Sequence, residues 1–463
     1  MIDQRQRRNI GLFLLKALIV LCNTSLFALC WYLYYTQNLY LPFSGNGNYM
    51  VIEMFFALNT VFAGFYGGFQ LTSSRAAGLA YSHGIALAMT YFFMYIVTWL
   101  LVRSRIPNIW PMLASFAGSV GISVLWAWGA YRLTNRLVPP KRTLIIYNNI
   151  EAYKNGFQIA KKNSNRFDIA GTLLADIPVE KIEQEISRQK VEAVMLCGLN
   201  STLRNDLMKY CIEQNILAYV RPNIGDLLMK NADLIHMNNL PVFLCQRTSP
   251  SLFYQVVKRT ADIVFSCTAL VLLSPIFLVT AAAIKLYDGG PVLFTQKRMT
   301  KDRKVFLIHK FRSMKVDADK GGKGIVTLQN DDRITPVGKL IRACRIDELP
   351  QLIDIIKGDM TLVGPRPERI ETIELYEKQT PEFALRLQVK AGLTGYAQVY
   401  GKANTSPYDK LQMDLMYIGQ QSLLMDLKII LTTIKILFVP ESTEGFEVEM
   451  DALKDIQDIL KIS

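Results

Sequence analysis

Residues 339–369 read KLIRACRIDELPQLIDIIKGDMTLVGPRPER, and the chain is organised around this stretch. The carboxylates of Asp347 and Glu348 precede Pro350, an apolar run follows, and Gly358 comes after that run. Acidic residues at the start, proline in the first turn and glycine just past the end are the order typical of a helix. On this interpretation Asp347 only caps a helix and complements its dipole.

The neighbouring arginines favour a second interpretation. Arg342 and Arg345 precede the acidic pair, and Arg366 lies between Pro365 and Pro367 on a stiff loop. Guanidinium groups match phosphate oxygens, and carboxylates suit Mg²⁺, a hard cation. A carboxylate can also attack phosphorus and form an aspartyl-phosphate intermediate. The stretch therefore predicts a site for a charged phosphate, with Mg²⁺ as its cofactor.

Four motifs in this part of the chain occur together in a known family. They are KFRSM (310–314), DELPQL (347–352), KGDMTLVGPRP (357–367) and GLTGYAQV (392–399). In this order, over roughly residues 250–440, they resemble the bacterial polyprenyl-phosphate sugar-1-phosphate transferases. With its membrane segments and middle domain, the chain is similar to the large monotopic members that initiate exopolysaccharide, capsule or O-antigen synthesis.

The resemblance implies a reaction and a set of site residues. A sugar 1-phosphate, with glucose or galactose first among the sugars, would pass from a UDP-sugar to undecaprenyl phosphate, with release of UMP. Asp347 would be the nucleophile, Glu348 the Mg²⁺ ligand, and Arg342 a third catalytic residue that neutralises phosphate charge. The expected substrate-binding residues are Arg366, Arg345, Lys310, Arg312 and Gln398.

Composition and hydropathy predict a membrane protein with an acidic partner. The 463 residues are 51% hydrophobic and carry a formal charge of +13, which indicates nucleic acid, anionic lipid or a phosphorylated substrate. Arginines at the N-terminus and after the last of four apolar segments place both ends of this bundle in the cytoplasm. Each segment can cross ~30 Å of hydrocarbon: Ile10–Tyr35, Met50–Leu71, Leu79–Val102 and Ile106–Tyr131.

The region that follows the bundle predicts a parallel α/β sheet. Short buried strands alternate with amphipathic helical stretches: Thr143–Tyr147, Phe167–Leu173, Val191–Gly198 and Ile216–Pro222. A dinucleotide site needs a glycine-rich turn after the first strand, but Asn148-Asn149-Ile150 stands there. We therefore expect a Rossmann-like domain without the dinucleotide fingerprint, with a structural or regulatory role such as dimerisation.

Residues 263–284 carry no charge and could form a fifth membrane segment, with Ser274-Pro275 in its middle. Proline removes a backbone hydrogen bond and kinks a helix, so a kinked span and a re-entrant helix are both open. The family resemblance implies the re-entrant helix, over about residues 261–286. Topology agrees, because a fifth crossing would move Asp347 away from the cytoplasmic nucleotide sugars.

Two further patterns lie in the last part of the chain. Eight lysines and arginines lie between residues 297 and 315, and Phe294, Phe306 and Phe311 are interleaved with this basic run. Such a run is typical of nucleic-acid binding, but beside a membrane helix we expect lipid headgroups or a polyprenyl phosphate instead, and no nucleic acid. Asp414 and Tyr417 lie three residues apart and are interpreted as a surface pair on one helical face.

The predicted fold class combines three parts. An α-helical membrane bundle covers residues 1–136 and a Rossmann-like α/β domain covers 137–250. A mixed, mainly α-helical monotopic catalytic domain with the re-entrant helix covers 251–440, and a C-terminal tail covers 441–463. The expected location is the bacterial cytoplasmic (inner) membrane, multi-pass, with the catalytic domain in the cytoplasm.

Partners and competing functions complete these expectations. The resemblance implies the membrane and downstream glycosyltransferases as partners, and a homo-oligomer is compatible with it. A membrane-anchored NAD(P)-dependent sugar-nucleotide epimerase or dehydratase is one alternative function. A non-catalytic scaffold for polysaccharide assembly is the other.

Overall fold

The computed structural model describes residues 4–43, 45–102, 106–316, 333–401 and 405–437. The chain forms two compact units, Met1–Arg221 and Pro222–Ser463. The predicted C-terminal tail over 441–463 lies outside the described residues.

Four long apolar helices open the first unit, in agreement with the predicted number of spans. They are α1 (Gln4–Cys30), α2 (Gly47–Phe65), α3 (Ala76–Val102) and α4 (Trp110–Leu137). Helix α1 continues through a π-helical segment, Trp31–Tyr35, and a 3-10 turn, so that the first span reaches Asn38. Helix α2 ends before the predicted Leu71 because turns follow, one of them with Gly67 at a φ of +77°.

Aromatic side chains form the core of this bundle. The Phe27 and Phe55 rings stack with centroids 4.2 Å apart, and Tyr91 meets both rings edge-on. The Tyr91 hydroxyl lies 2.7 Å from the Ser115 hydroxyl, so the polar end of this buried ring has a partner. The contacts therefore join α1, α2, α3 and α4.

The rest of the first unit is a four-stranded parallel sheet in the order β2-β1-β3-β4. Its strands are β1 (Lys141–Tyr147), β2 (Phe167–Leu174), β3 (Ala193–Cys197) and β4 (Leu217–Val220). Helices α5 (Ile150–Lys162), α6 (Val179–Arg188) and α7 (Ser201–Glu213) alternate with them. Consecutive residues Leu144, Ile145 and Ile146 are all fully buried, as expected for a parallel sheet covered on both faces.

Helix α5 begins without a glycine-rich turn. The Asn149 side chain accepts a hydrogen bond from the Ala152 N–H at 2.8 Å and caps the helix. The alternation of these strands and helices confirms the predicted α/β domain.

The second unit consists of nine helices and six strands among its described residues, besides 3-10 segments. The helices are α8 (Ile224–Lys230), α9 (Leu252–Leu272), α10 (Ser274–Asp288), α11 (Pro336–Ala343), α12 (Gln351–Lys357), α13 (Ile370–Gln379), α14 (Tyr396–Tyr400), α15 (Pro407–Gly419) and α16 (Leu423–Leu437). The strands pair as β5 (Asp233–Met237) with β6 (Leu240–Leu244), β7 (Leu293–Met299) with β8 (Val305–Phe311), and β9 (Met360–Val363) with β10 (Ala391–Thr394). The last pair is parallel and the other two are antiparallel.

Helices α9 and α10 form an apolar pair bent by 62° at Leu273. Pro275 lies in the first turn of α10, and the Ser274 hydroxyl donates to the Val271 carbonyl at 2.7 Å. This bond satisfies a carbonyl near the break, where lipid would offer no partner. The predicted kink at Ser274-Pro275 is therefore confirmed.

The first half of α9 is anchored to the elements around the acidic pair. Buried Asp262 accepts hydrogen bonds from the Thr361 hydroxyl at 2.6 Å and the Leu362 N–H at 3.0 Å, both in β9. Arg259 donates to the Ile355 and Ile356 carbonyls at 2.7 and 2.8 Å, and so satisfies the end of α12. Helix α9 thus holds the two elements that follow Asp347.

Candidate active site

The acidic pair lies in a 3-10 turn, Ile346–Glu348, between α11 and α12. Arg345 precedes the turn with a φ of +52°, a left-handed conformation that non-glycine residues rarely adopt. The N-cap of α12 is Pro350, and no hydrogen bond of the Asp347 side chain is found among the described residues. Asp347 therefore does not cap α12, and its half-buried carboxylate has no hydrogen-bond partner in the part of the chain that the structure describes.

Glu348, in contrast, is held by cations. Its Oε1 accepts from the Lys310 ammonium at 2.8 Å and from the Arg366 guanidinium at 3.1 Å. Arg345 lies 3.9 Å from the other carboxylate oxygen, and the Glu348 side chain is only 14% exposed. Burial alone would raise the pKa of Glu348, but Arg366 and Lys310 outweigh it and hold that pKa well below its usual range.

The pKa of Asp347 is shifted in the opposite direction. Burial, and next the negative charge of Glu348, raise the pKa of Asp347 above its ordinary value. Lys310, Arg342 and Arg366 limit the increase. Two neighbouring carboxylates with pKa values pushed apart are suited to different roles. Glu348 is the carboxylate that cations hold ionised, and Asp347 is the more basic carboxylate of the two.

Two glycine-containing loops place Arg366 at this pair. The Gly364 N–H donates to the Thr394 carbonyl at 2.8 Å, and the Gly392 N–H donates to the Pro365 carbonyl at 2.9 Å. A Cβ atom at Gly392 would lie 2.0 Å from the Gly364 nitrogen. Glycine is therefore required at position 392 for the loops to approach this closely.

Two further arginines hold the backbone around Arg366. Arg298 donates from Nη1 to the Pro367 carbonyl, and Arg386 donates from Nη2 to the Arg366 carbonyl, both at 3.1 Å. Burial lowers the pKa of Arg298 to about 10, so this guanidinium still carries its charge at neutral pH. The cleft is lined by Arg298, Ile308, Lys310, Glu348, Gln351, Arg366, Pro367 and Gly392.

The amino-acid sequence of this chain is similar to the sequences of known proteins. Residues 253–440 match the family model described as bacterial sugar transferase. The UDP-N-acetylgalactosamine-undecaprenyl-phosphate N-acetylgalactosaminephosphotransferase of Aeromonas hydrophila is 30% identical over 319 residues, which are 68% of this chain and 71% of that protein. The chain belongs to the bacterial sugar transferase family.

Two more members of the bacterial sugar transferase family match over shorter stretches. The UDP-glucose:undecaprenyl-phosphate glucose-1-phosphate transferase of Escherichia coli K12 is 38% identical over 46% of this chain and 47% of its own length. The exopolysaccharide production protein PSS of Rhizobium leguminosarum is 40% identical over 41% of this chain, and the match covers 97% of that protein. A match of about 200 residues of this chain thus covers almost the whole length of the Rhizobium protein.

The structure of this sugar transferase brings most of the predicted site residues together. Glu348 forms ion pairs with Lys310, Arg366 and Arg345. The positive charge of Arg342, at the end of α11, acts on the neighbouring Asp347. Pro365 and Pro367 are buried and flank Arg366, whereas Ser274 and Pro275 are exposed at the bend between α9 and α10.

Two predicted substrate contacts are placed differently. Arg312 is 6% exposed and binds Asp288, with Nη1 2.6 Å from Oδ2 and Nη2 also in contact, so its guanidinium ties β8 to the end of α10. Gln398 lies in α14, where its Nε2 is buried and has no hydrogen-bond partner among the described residues. The structure does not bring Arg312 into the group around Glu348.

The interpretation of Asp414 and Tyr417 as a surface pair is wrong. Asp414 is 1% and Tyr417 2% exposed. The Tyr417 hydroxyl lies 2.8 Å from the Asp426 carboxylate and 3.0 Å from the Val363 carbonyl, and Asp414 pairs with Arg386. A helical spacing of three shows that two residues share a face but does not show whether another element covers that face.

Sequence reasoning did not identify Arg298, Gln351 or Arg386 as parts of the site. Arg298 is in the basic run, and the alternation of β7 puts it on the less exposed face of that strand. Gln351 is 3% exposed and comes three residues after Glu348, but a glutamine in the first turn of a helix is no distinctive signal. Arg386 lies 38 residues after Glu348 in an otherwise ordinary segment, and only packing reveals it.

The carboxylate oxygens at this site fit Mg²⁺ only when a substrate supplies further oxygen ligands. No group of three or more histidine, cysteine, aspartate or glutamate side chains that could hold a metal occurs in the described part of the chain. Mg²⁺ is usually bound by one or two carboxylates together with substrate phosphates and water. Glu348 Oε2, which lies 3.9 Å from Arg345 Nη1, meets that requirement only if a phosphorylated substrate supplies the other oxygens.

Proposed function

We propose that this protein transfers a sugar 1-phosphate from a UDP-sugar to undecaprenyl phosphate and releases UMP, as the first membrane step of a bacterial polysaccharide. One observation carries the proposal: in a chain of this family, Asp347, whose side chain has no hydrogen-bond partner among the described residues and whose pKa is raised, lies beside a Glu348 that cations hold in place. An epimerase or dehydratase and a non-catalytic scaffold are not favoured by these relatives. A hexose, glucose or galactose, is the proposed sugar.

In the first half-reaction, Asp347 attacks the β-phosphorus of the UDP-sugar. A bond forms between a carboxylate oxygen and phosphorus, the bond from phosphorus to the bridging oxygen breaks, and UMP leaves with that oxygen. Arg366 is 42% exposed and can turn to phosphate oxygens, and Arg342 adds positive charge beside the nucleophile. Fixed positive groups at developing phosphate charge are the main requirement of phosphoryl transfer.

In the second half-reaction, an oxygen of undecaprenyl phosphate attacks the same phosphorus. The bond to Asp347 breaks, its carboxylate is restored, and the sugar leaves on a polyprenyl diphosphate. Bound Mg²⁺ would neutralise charge on the diphosphate. Glu348 would hold it, and Lys310 would keep Glu348 ionised and oriented.

We further propose that α9 and α10 form a re-entrant helix with both ends on the cytoplasmic face of the membrane. The 62° bend supports this, and so does an anchor in each of the two helices. Asp262, in the middle of α9, accepts from β9, and Asp288, the last residue of α10, accepts from Arg312, the residue after β8. A straight helix from Leu252 to Asp288 would separate its ends by roughly 55 Å, at ~1.5 Å per residue. The four helices of the first unit would then place the middle α/β domain and the catalytic domain in the cytoplasm of a multi-pass inner-membrane protein.

Release of UMP from a panel of UDP-sugars, with and without undecaprenyl phosphate, tests the reaction and identifies the sugar. A separate incubation with UDP-sugar and Mg²⁺ but no lipid should add the mass of one sugar phosphate to the intact protein, at Asp347. Normal turnover without any adduct would indicate direct transfer instead. No UMP from any UDP-sugar would contradict the proposed reaction.

A further inference from the structure

Asp354 is a fully buried carboxylate of α12, and both of its oxygens bind one residue of β8. Oδ2 accepts from the backbone N–H of His309 at 2.9 Å, and Oδ1 lies 2.6 Å from Nδ1 of the same residue. Because an ionised carboxylate only accepts hydrogen bonds, Nδ1 is the ring nitrogen that carries the proton. His309 is thus held both by its backbone and by its side chain.

The register of β7 with β8 explains why this backbone N–H reaches α12. The Arg312 N–H donates to the Val292 carbonyl at 2.9 Å, so these two residues form a hydrogen-bonded pair at the start of the ladder. Hydrogen-bonded pairs alternate along an antiparallel ladder, so His309 and the opposite Thr295 exchange no backbone hydrogen bonds. The N–H of His309 consequently points away from β7, and Asp354 accepts from it.

Lys310, the next residue, projects from the opposite face of β8 into the cleft, because successive side chains of a strand alternate. Its ammonium binds Glu348 there at 2.8 Å, and its side chain is only 19% exposed. Strand β8 is therefore joined to the segment from Glu348 to Asp354 by one contact in the cleft and another behind it. A flexible lysine side chain starts from wherever its own backbone lies. Asp354 fixes that backbone at the preceding peptide group.

The contact between Asp354 and His309 specifies an arrangement more than it adds stability. Burial raises the pKa of Asp354, and the two hydrogen bonds from His309 act against this increase, as does the charge of Lys357 on the same helix. Apolar side chains in the place of a buried charged pair often leave a protein equally stable. A buried carboxylate at this position is therefore explained by the residue that it holds.

We propose that Asp354 and His309 are positioning residues for the transfer reaction, which set the place of Lys310 and, through it, the carboxylate of Glu348. Neither Asp354 nor His309 touches the reacting phosphate in this assignment. The inference rests on the proposed function for its effect on turnover. Its effect on Lys310 is a property of the fold and is measured without substrate.

Four variants of the full-length protein test the contact. Asp354→Leu removes both hydrogen bonds. The double variant Asp354→Leu, His309→Leu replaces the pair by two apolar side chains, which provides a folded protein if the single variant unfolds. Asp354→Asn keeps the shape: its oxygen accepts from the backbone N–H, and its Nδ2 donates to Nδ1 in the other neutral tautomer of the ring. Thr295→Val is the matched control, because Thr295 is exposed on β7 directly opposite His309.

Light acetylation of lysines, followed by peptide mass spectrometry, measures whether Lys310 is held. Lys304 is the internal reference, because it is 67% exposed and pairs outside the cleft. The ratio of Lys310 to Lys304 labelling should rise roughly threefold or more in Asp354→Leu and in the double variant, since the ion pair with Glu348 is lost. It should keep the wild-type value in Asp354→Asn and in Thr295→Val. An unchanged ratio in the Asp354→Leu protein or the double variant, with thermal unfolding that shows it folded, would overturn the proposal.

Turnover of the same variants separates this proposal from the proposed reaction. The kcat for UMP release should fall roughly tenfold or more in Asp354→Leu and in the double variant, because misplaced groups are costly in catalysis. Asp354→Asn should restore it. A released Lys310 with unchanged kcat would show that the pair does not position the site and would overturn the inference. No UMP from the wild type, with the expected change in Lys310 labelling, would contradict the proposed reaction and support the placement of Lys310 by Asp354.

Discussion

Arg386 and Asp414 form an ion pair in the interior of the second unit, with guanidinium nitrogen and carboxylate oxygen 2.8 Å apart. They are 3% and 1% exposed, and burial raises the pKa of Asp414 to about 6 in spite of Arg386. The same nitrogen of Arg386 donates to the backbone carbonyl of Arg366, while Glu368 lies 3.8 Å from its other Nη. The buried ion pair of Arg386 and Asp414 thus positions the loop that carries Arg366, which in turn binds Glu348.

Asp414→Asn should lower turnover by roughly ten- to a hundredfold, because Arg366 loses its backbone anchor and misplaced groups are costly in catalysis. In the wild type, Asp414 becomes protonated as the pH falls through about 6, which weakens the ion pair and should reduce activity. The activity of the Asp414→Asn variant should not show this decrease near pH 6. UMP release between about pH 5 and pH 8 measures both effects.

The control for this variant is Glu382→Gln, which neutralises an exposed carboxylate in the same 3-10 segment as Arg386. It should retain the turnover and pH profile of the wild type. An Asp414→Asn enzyme with normal turnover and an unchanged acid limb would show that the pair does not position Arg366.

Asp347→Asn should abolish turnover and leave the fold intact, because the amide keeps the shape and removes the nucleophile. Asp359→Asn is a matched control: Asp359 is a partly exposed carboxylate that pairs with Lys304 outside the group around Glu348. It should remain active. If purified Asp347→Asn kept about a tenth of wild-type UMP release, with unchanged thermal unfolding, Asp347 would not be the nucleophile.

Removal of the first unit should leave an active enzyme in detergent, since the described candidate residues lie after residue 297. The fragment that starts at Pro222 should be more stable than one that starts at Ser251. Ile224 and Leu227 of α8 are 7% and 5% exposed in the main core of the second unit, and Gln412 donates to the Pro222 carbonyl. Burying two such side chains stabilises by about 1.5–3 kcal/mol each.

Thermal unfolding and UMP release of the two fragments measure this difference. Equal stability would mean that α8 contributes little to the catalytic unit. A well-folded Pro222–Ser463 fragment without activity would show that the first unit completes the site.

Single cysteines at Ser251 and Val316 test the re-entrant arrangement. Both positions are exposed and lie before α9 and after β8. In a background without native cysteines, both should resist an impermeant thiol reagent in intact cells and react after lysis. Labelling of the Val316 cysteine alone in intact cells would mean that the bent pair crosses the membrane, and the cytoplasmic site would be wrong.

Local signals account for what could be predicted of the fold. Four spans were recognisable because length and hydropathy belong to each segment alone. The kink at Ser274-Pro275 was recognisable because proline disrupts a helix from within. The span ends were less certain, since α2 stops at Phe65 where turn residues follow. The β5–β6 hairpin was not predicted, because the Asn238-Asn239 turn is flanked by strands without a polar face.

For the site, the sequence by itself determined that Asp347 and Glu348 stand side by side between arginines and ahead of a rigid Pro-Arg-Pro loop. Motif and spacing were sufficient because these residues are neighbours along the chain. Only the tertiary structure decided which cations act on which carboxylate. Lys310 reaches Glu348 across 38 positions of sequence, while Arg312, two residues further on, turns to Asp288. Residues two apart along a strand project from the same face, so the local pattern does not separate Lys310 from Arg312. Which element each side chain reaches depends on contacts between distant segments, and the local sequence does not record them.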